Sequence, residues 1–246
     1  MTTVLKLGGS VVTVKDEPET VDDDRLGAAA DAVATAEDSV VVIHGGGSFG
    51  HHHAAEHGVS TTDGTYDATA VQAIHGAMAR LNARVVAELT ERGVPAVPIH
   101  PLSAGARDAE GELTFPAEQV RTALGEGFVP VLHGDLVVQA GKGATVLSGD
   151  ELVVELATAL DADRVGVCST VPGVLDEHGD VIDRIGRFEE VADALGASDA
   201  TDVSGGMAGK VRTLLALGVP AQIFGPDALE AFLAGERPGT TVGDRG

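Results

Sequence analysis

Lysine is scarce in this chain of 246 residues: 4 of its 16 basic residues are lysine, and the other 12 are arginine. Three of the four stand in or near glycine-rich turns. Lys6 lies in Leu5-Lys6-Leu7-Gly8-Gly9-Ser10, Lys15 follows a few residues on, and Lys210 closes Gly205-Gly206-Met207-Ala208-Gly209-Lys210. A lysine ammonium is a compact point charge on a flexible stem, suited to following a phosphoryl group as its charge shifts. Scarce lysines kept beside glycines therefore point to phosphate chemistry.

The glycine clusters support the same reading. Gly8-Gly9-Ser10 follows the strand pattern Val4 to Leu7, and Gly45-Gly46-Gly47-Ser48 follows the apolar run Val40 to Ile43. Gly134 and Gly149 stand at comparable places further on. Glycine lets backbone N–H groups approach an anion closely, and ligands of parallel sheets gather at the carboxyl ends of strands. The machinery is not a Walker A loop. Ser204 stands where its first glycine belongs, and Val211 where Ser or Thr should follow Lys210. Nor does a G-x-G-x-x-G follow the first strand.

Histidines crowd the second glycine loop: His51, His52 and His53 follow it, with His57 nearby. There is no H-E-x-x-H and no matching downstream ligand set, so no metal held by protein side chains is expected. His52 and His53 read as the polar start of a helix. His51 lies where a donor can meet an oxyanion near a helix N-terminus, and a nearby phosphate would favour its charged form.

Strand and helix patterns alternate along the chain. Strands are expected at Val4–Leu7, Val40–Ile43, Val94–Ile99, Val129–Leu132, Arg164–Cys168 and Ala221–Phe224. Helices are expected at Asp24–Ala36, Thr65–Gly93, Glu151–Leu160, which Asp150 is placed to begin, and Val211–Leu217. That rhythm gives an α/β fold, a three-layer αβα sandwich around a mainly parallel sheet. Three segments break it, Ser103–Glu118, Leu136–Leu147 and Val174–Ile182, and read as hairpins or loops laid over the sheet. A division near Ala157–Asp163 would give lobes 1–157 and 158–246.

Composition sets the bounds. With 43% hydrophobic and 3% aromatic residues, the core must be mostly Val, Ala and Leu. No apolar run is long enough to span a membrane, and the chain enters a strand at once, so neither a span nor a signal peptide is expected. The single Cys168 makes no internal disulfide, which suits a reducing cytoplasm. A net charge of −22 argues against general nucleic-acid binding. Such acidity with so few lysines resembles proteins of salt-loving microbes, whose molar salt screens self-repulsion.

The motifs match a family in order and spacing. Leu5-Lys6-Leu7-Gly8-Gly9-Ser10, His44-Gly45-Gly46-Gly47-Ser48-Phe49-Gly50-His51, Ser148-Gly149-Asp150 and Asp202-Val203-Ser204-Gly205-Gly206-Met207-Ala208-Gly209-Lys210 resemble the amino-acid kinase superfamily over nearly the whole chain. Within it, the histidine ending Gly-x-Gly-His, together with Lys15, resembles the isopentenyl phosphate kinases.

The resemblance implies the following roles. Lys6, Leu7, Gly8, Gly9, Ser10, Gly47, Gly206 and Lys210 would bind ATP. Lys15 would stabilise the transferring phosphoryl group, and Asp150 would orient the lysines. Gly46, His51 and Gly149 would hold the acceptor phosphate, with His51 donating to it. Lobe 1–157 would bind the acceptor and lobe 158–246 the nucleotide. ATP with Mg²⁺, a small-molecule acceptor (isopentenyl phosphate) and a homodimer are likewise implied. Where many relatives carry Thr-Asp-Val-Asp-Gly-Val, this chain has Ser169-Thr170-Val171-Pro172-Gly173-Val174, so the family's base or ribose contacts there are not carried over to it.

The chemistry needs no catalytic base, because an alkyl phosphate is already anionic near neutral pH. The protein must hold two anions together and offset their repulsion. The acceptor's tail needs an apolar slot, for which the helix bearing Ala73, His75, Ala77, Met78 and Leu81 is the candidate wall. Three alternatives remain open: another small-molecule kinase of this fold, acting on fosfomycin or an amino-acid carboxylate; a sensor that binds ATP without turnover; and a histidine-rich metal binder.

Overall fold

A computed structural model describes residues 1–196 and 206–243. The chain begins with β1 (Thr2–Leu7), a single-turn α1 (Gly9–Val12), α2 (Asp23–Ala34), β2 (Ser39–His44), α3 (Gly47–Glu56) and the long α4 (Ala68–Glu91). Next come β3 (Ala96–Pro98), α5 (Pro101–Ala104), β4 (Ala106–Arg107), β5 (Leu113–Thr114), α6 (Glu118–Gly125), β6 (Val129–His133), β7 (Asp135–Gln139), β8 (Gly143–Leu147) and α7 (Gly149–Ala159). The last part supplies β9 (Arg164–Cys168), β10 (Arg184–Ile185), α8 (Ala192–Gly196), α9 (Gly206–Leu215), β11 (Ala221–Phe224), α10 (Leu229–Leu233) and β12 (Thr240–Val242).

Eight strands form one sheet in the order β10-β12-β11-β9-β1-β2-β6-β3. Neighbours pair parallel except β11 with β12. Successive residues of a strand point to opposite faces, and β2 shows the result. Val41 and Ile43 join a core with Leu152 and Leu156 of α7 and Leu214 of α9. Val40 and Val42 join another with Leu26 and Ala30 of α2 and Leu81 and Leu89 of α4. Two apolar faces on one sheet give the three-layer αβα sandwich, and explain why β1 and β2 read as unbroken apolar runs.

Several details depart from expectation. The first two interrupting segments do not merely lie over the sheet; they build a second sheet of order β5-β4-β7-β8. The third forms a tight turn closed by a bridge between Leu175 and Val181. β3 is shorter than its apolar run, because Pro95 and Pro98 bring no N–H to the ladder. Asp150 does not begin α7. Ser148 caps it in a reciprocal box, accepting the Glu151 N–H at 3.1 Å while Glu151 accepts the Ser148 N–H at 3.0 Å. Asp150 is thereby left inside the first turn, facing inward. Residues 202–205 of the last motif lie outside the described residues.

The sheet crosses the expected lobe division without a break. Strands before residue 157 lie on the β1 side and later ones on the β9 side, with β1 and β9 paired. Along the carboxyl edge the register is level: Phe224, Cys168, Leu7, His44 and His133 are successive partners. Each step is closed by the next residue's amide reaching the neighbouring strand. Gly8 donates to the Cys168 carbonyl, Gly45 to Leu7 and Gly134 to His44, each at 2.9 Å. The glycine turns therefore emerge side by side.

Candidate active site

Above that edge lies a cavity of about 250 Å³. Lys6, Gly8, Gly9, Ser10 and Lys15 line it from the first turn, Gly46 and His51 from the second, Gly149 and Asp150 from α7, and Gly206 and Lys210 from α9. Helices α1, α3 and α7 begin at the cavity, and α9 borders it with Gly206, Met207 and Lys210. Helix starts carry unpaired N–H groups and a partial positive charge, so their convergence makes an anion site within a chain of net charge −22.

The close spacing of the turns depends on missing side chains. A Cβ on Gly9 would lie 2.2 Å from the Gly47 amide nitrogen, and one on Gly47 would lie 2.1 Å from Thr13 Oγ1. Thr13 ties the turns together, donating to the Gly9 carbonyl at 2.9 Å and accepting the Ser48 N–H at 3.1 Å. Gly47, although expected at the phosphates, is not part of the cavity lining; its backbone is packed against Gly9 and Thr13. Leu7 is also absent from the lining, because its side chain is buried in the core and its carbonyl is held by Gly45.

Asp150 is the electrostatic centre. Its Oδ1 lies 2.6 Å from Lys6 Nζ and its Oδ2 lies 3.4 Å from Lys210 Nζ. Burial alone would raise its pKa; the two ammonium groups outweigh that and hold the carboxyl below the usual carboxylate range. The trio thus keeps one net positive charge, aimed by a carboxylate that is itself fixed on a capped helix. Lys15 stands exposed at the cavity mouth, and His51 lies exposed on α3. The fourth lysine, Lys142, is used elsewhere: it donates to the Thr62 carbonyl at 3.0 Å.

One end of the cavity is apolar, with Ala54, Ile74, Met78 and Val146 in its wall. Of the helix residues expected there, Met78 is present. Ala73, His75, Ala77 and Leu81 are not among the lining residues. His75 turns to Asp135, at 2.9 Å, while Ala77 and Leu81 belong to the core under the sheet. Ile74 takes the place expected of them, one helical turn before Met78.

Gly134 and Asp135 also border the cavity and were not singled out as site residues from the sequence, although Gly134 stood among the strand-end glycines. Asp135 is engaged by His75 and by the Leu136 N–H at 2.8 Å. Thr170 lines the cavity at the departure from the family pattern. Pro172, the other substitution, packs near Gly225 instead. Away from the cavity, His52, His53 and Glu56 bring ligand atoms within 4.8 Å of one another on α3. The sequence carries no H-E-x-x-H motif at this grouping. His53 also meets Glu19 at 2.7 Å.

Fold and cavity together define a phosphotransferase scaffold, and comparison with known proteins agrees. The model of the amino acid kinase family matches residues 1–223, and the chain belongs to that family. It is 67% identical to the isopentenyl phosphate kinase of Haloferax volcanii, over 97% of each chain. To the isopentenyl phosphate kinase of Methanothermobacter thermautotrophicus it is 34% identical, over 95% of each. A solved structure, described as X-ray structures of isopentenyl phosphate kinase, superposes with a TM-score of 0.84 at 29% identity, covering 98% of this chain and 99% of that one. Among the described residues no helix is long and apolar enough to cross a membrane.

Proposed function

We infer that the protein transfers the γ-phosphoryl group of ATP directly to isopentenyl phosphate, giving isopentenyl diphosphate and ADP, a step of isoprenoid biosynthesis. One observation carries this reading: the Lys6–Asp150–Lys210 trio and three helix starts face the same cavity that ends in the apolar wall of Ile74 and Met78. The cavity thus offers anion-binding groups at one end and room for a short hydrocarbon tail at the other. Its amphiphilic character fits a prenyl phosphate better than glutamate or UMP.

In this mechanism Lys6, Gly8, Gly9, Ser10, Gly206 and Lys210 hold the ATP phosphates, and Lys15 follows the group in flight. His51, Gly46 and Gly149 hold the acceptor phosphate. The acceptor oxygen is already anionic, so no residue need remove a proton; the rate comes from positioning and charge offset. Both carboxylates that line the cavity among the described residues, Asp135 and Asp150, are engaged by cations or N–H groups. Mg²⁺ would accordingly be carried by the ATP oxygens, where it supplies further charge neutralisation.

The lobe before residue 157 would take the acceptor and the later lobe the nucleotide, with β1 and its turn shared between them. The reading extends to a homodimer in the cytoplasm. The free, buried Cys168, whose thiol is pushed up to about 12 by burial, suits a reducing compartment. Light scattering after size exclusion tests the assembly.

The decisive experiment is ADP release in molar KCl with Mg-ATP, comparing isopentenyl phosphate with fosfomycin, glutamate and UMP. Strong preference for isopentenyl phosphate is expected. Preference for another acceptor, or ATP binding without turnover, would overturn the reading in favour of a different kinase or a sensor.

A further inference from the structure

Two buried histidines take no part in the transfer just described, yet they make the same bond at neighbouring strand ends. His44 closes β2 and His133 closes β6. They are register partners, both fully buried, with rings stacked 5.5 Å apart. His44 Nδ1 lies 3.1 Å from the Gly45 carbonyl oxygen, and His133 Nδ1 lies 2.9 Å from that of Gly134. A carbonyl can only accept, so each ring carries a proton on Nδ1.

The opposite ring nitrogens agree. Burial, reinforced by the neighbouring ring, pulls His44 down to about 3, and burial lowers His133 too, so both are neutral and Nε2 is bare. His133 Nε2 therefore accepts from His100 Nδ1, at 2.9 Å. His44 Nε2 lies 3.2 Å from Asn82 Oδ1, and two acceptors do not bond without a proton between them. The two ends of an amide have the same shape; turning that of Asn82 over brings its Nδ2, a buried atom otherwise without a partner, to the bare nitrogen as a donor.

These bonds fix the direction of two peptide groups. In a trans peptide C=O and N–H point opposite ways, and no peptide among the described residues is cis. Holding the Gly45 carbonyl toward the core aims the Gly46 N–H away from it, and Gly46 borders the cavity. Holding the Gly134 carbonyl sets the peptide whose N–H is that of Asp135, and with it the place of Gly134 itself. A Cβ on Gly134 would lie 3.4 Å from Gly149 N and 3.9 Å from Gly46 N, so both nitrogens converge over its Cα.

We propose that His44 and His133 are positioning residues for the acceptor phosphate: as Nδ1–H tautomers, His44 pins the Gly45 carbonyl and so directs the Gly46 N–H at the phosphate, while His133 pins the Gly134 carbonyl and so holds in place the glycine against which the Gly46 and Gly149 nitrogens stand. This rests on the reading of the cavity as a phosphate-acceptor site. It adds a layer beneath the residues that touch substrate, since neither ring touches it.

The tautomers are read first in the unaltered protein, by long-range ¹⁵N–¹H NMR. Both rings are expected with Nδ1 protonated and Nε2 bare; an Nε2–H tautomer on either would overturn the proposal. Paired substitutions then separate position from mere packing. An asparagine amide reaches the place of ring Nδ1, a glutamine amide that of Nε2. His44→Gln and His133→Gln are expected to raise KM for isopentenyl phosphate about tenfold, the effect of one lost hydrogen bond to an anion. His44→Asn and His133→Asn should restore it to within about twofold, with KM for ATP unchanged throughout. Equal effects of Asn and Gln, or a parallel rise in KM for ATP, would count against a positioning role. The Gly46 amide signal, followed on adding inorganic phosphate, distinguishes this idea from the substrate reading. A shift in the unaltered and Asn proteins but not in the Gln variants, with no turnover of isopentenyl phosphate, would remove that substrate and leave the positioning role standing.

Discussion

Lys6 and Asp150 form a buried ion pair, Nζ to Oδ1 2.6 Å, with side chains only 5% and 6% exposed. Lys6 comes from the first strand and Asp150 from the first turn of α7. Their meeting fixes the strand edge against the helix start, while Lys210 reaches the same carboxylate from α9. Removing the carboxylate would leave the buried Lys6 ammonium and the partly buried Lys210 ammonium without the carboxylate they share. Asp150→Ala is therefore expected to lower stability by about 3–5 kcal/mol and kcat by roughly 10²-fold or more. Urea unfolding and steady-state ADP release check the two effects separately. Unchanged kcat in a folded variant would take Asp150 out of the mechanism.

His51 lies beside the second glycine turn but outside the lysine trio. His51→Gln and His51→Ala are expected to reduce kcat/KM for isopentenyl phosphate by about 10- to 100-fold, the range for a lost hydrogen bond to a charged group. ATP affinity should stay within about twofold. Equilibrium ATP binding measured beside turnover is the check, and weakened ATP binding would move His51 to the nucleotide.

The approach of Gly9 to Gly47 leaves no room for a methyl group. Gly9→Ala should destabilise the chain by about 1–3 kcal/mol or more through overpacking, and abolish most activity by parting the turns. Gly125, in α6, has open space where a Cβ would go, with no atom within 4 Å, and serves as control. Gly125→Ala is expected to be neutral or to stabilise by up to about 1 kcal/mol. Thermal melts of the two variants make the comparison.

Met78 closes the apolar end of the cavity. Met78→Ala should lengthen the slot at a cost of about 2–5 kcal/mol in stability. The ratio of kcat/KM for geranyl phosphate over isopentenyl phosphate should rise about tenfold, the scale of one or two methylene groups newly accommodated. Competition between the two acceptors in one reaction measures that ratio. No change would place the tail elsewhere.

Acid should weaken the fold through the buried histidines. His44 is held neutral, its pKa lowered from 6.5 to about 3. The unfolded chain therefore binds a proton below about pH 6.5 that the folded chain refuses down to about pH 3, so stability falls across that window as pH falls. One such group costs up to about 1.4 kcal/mol per pH unit, or about 2 kcal/mol between pH 6.5 and 5. His133 and His100, also lowered by burial, act in the same sense. His75 acts in the opposite one: Asp135 raises its pKa, so its contribution is present at low pH and lost as pH rises through the raised value. A lower Tm at pH 5 than at pH 7 in fixed molar KCl is expected, with a shallower slope for His44→Asn, whose amide does not titrate. Equal slopes would show that His44 does not supply the effect.

Much of the architecture was set by the chain's own pattern. Unbroken apolar runs such as Val40–Ile43, alternating with helical stretches, determine a buried parallel sheet, because only strands covered on both faces lack polar alternation. Glycines after those runs and lysines beside them determine an anion site at the carboxyl edge. What the pattern could not determine was which groups from different elements meet. The rotation of α4 about its axis decides that Ile74 and Met78 reach the cavity while Ala77 and Leu81 enter the core, and that rotation is set by packing on α3, α2 and β6. Asp150 reads as a helix start in the sequence; only the capping by Ser148 and Glu151 turns it toward Lys6. Leu7 and Gly47 belong to motifs that surround phosphate, but strand pleat and turn-to-turn contact put one in the core and the other against Thr13. Linear spacing records which residues are near along the chain. Sheet order, helix rotation and peptide direction, fixed only when the whole chain packs, decide which of them face the same space.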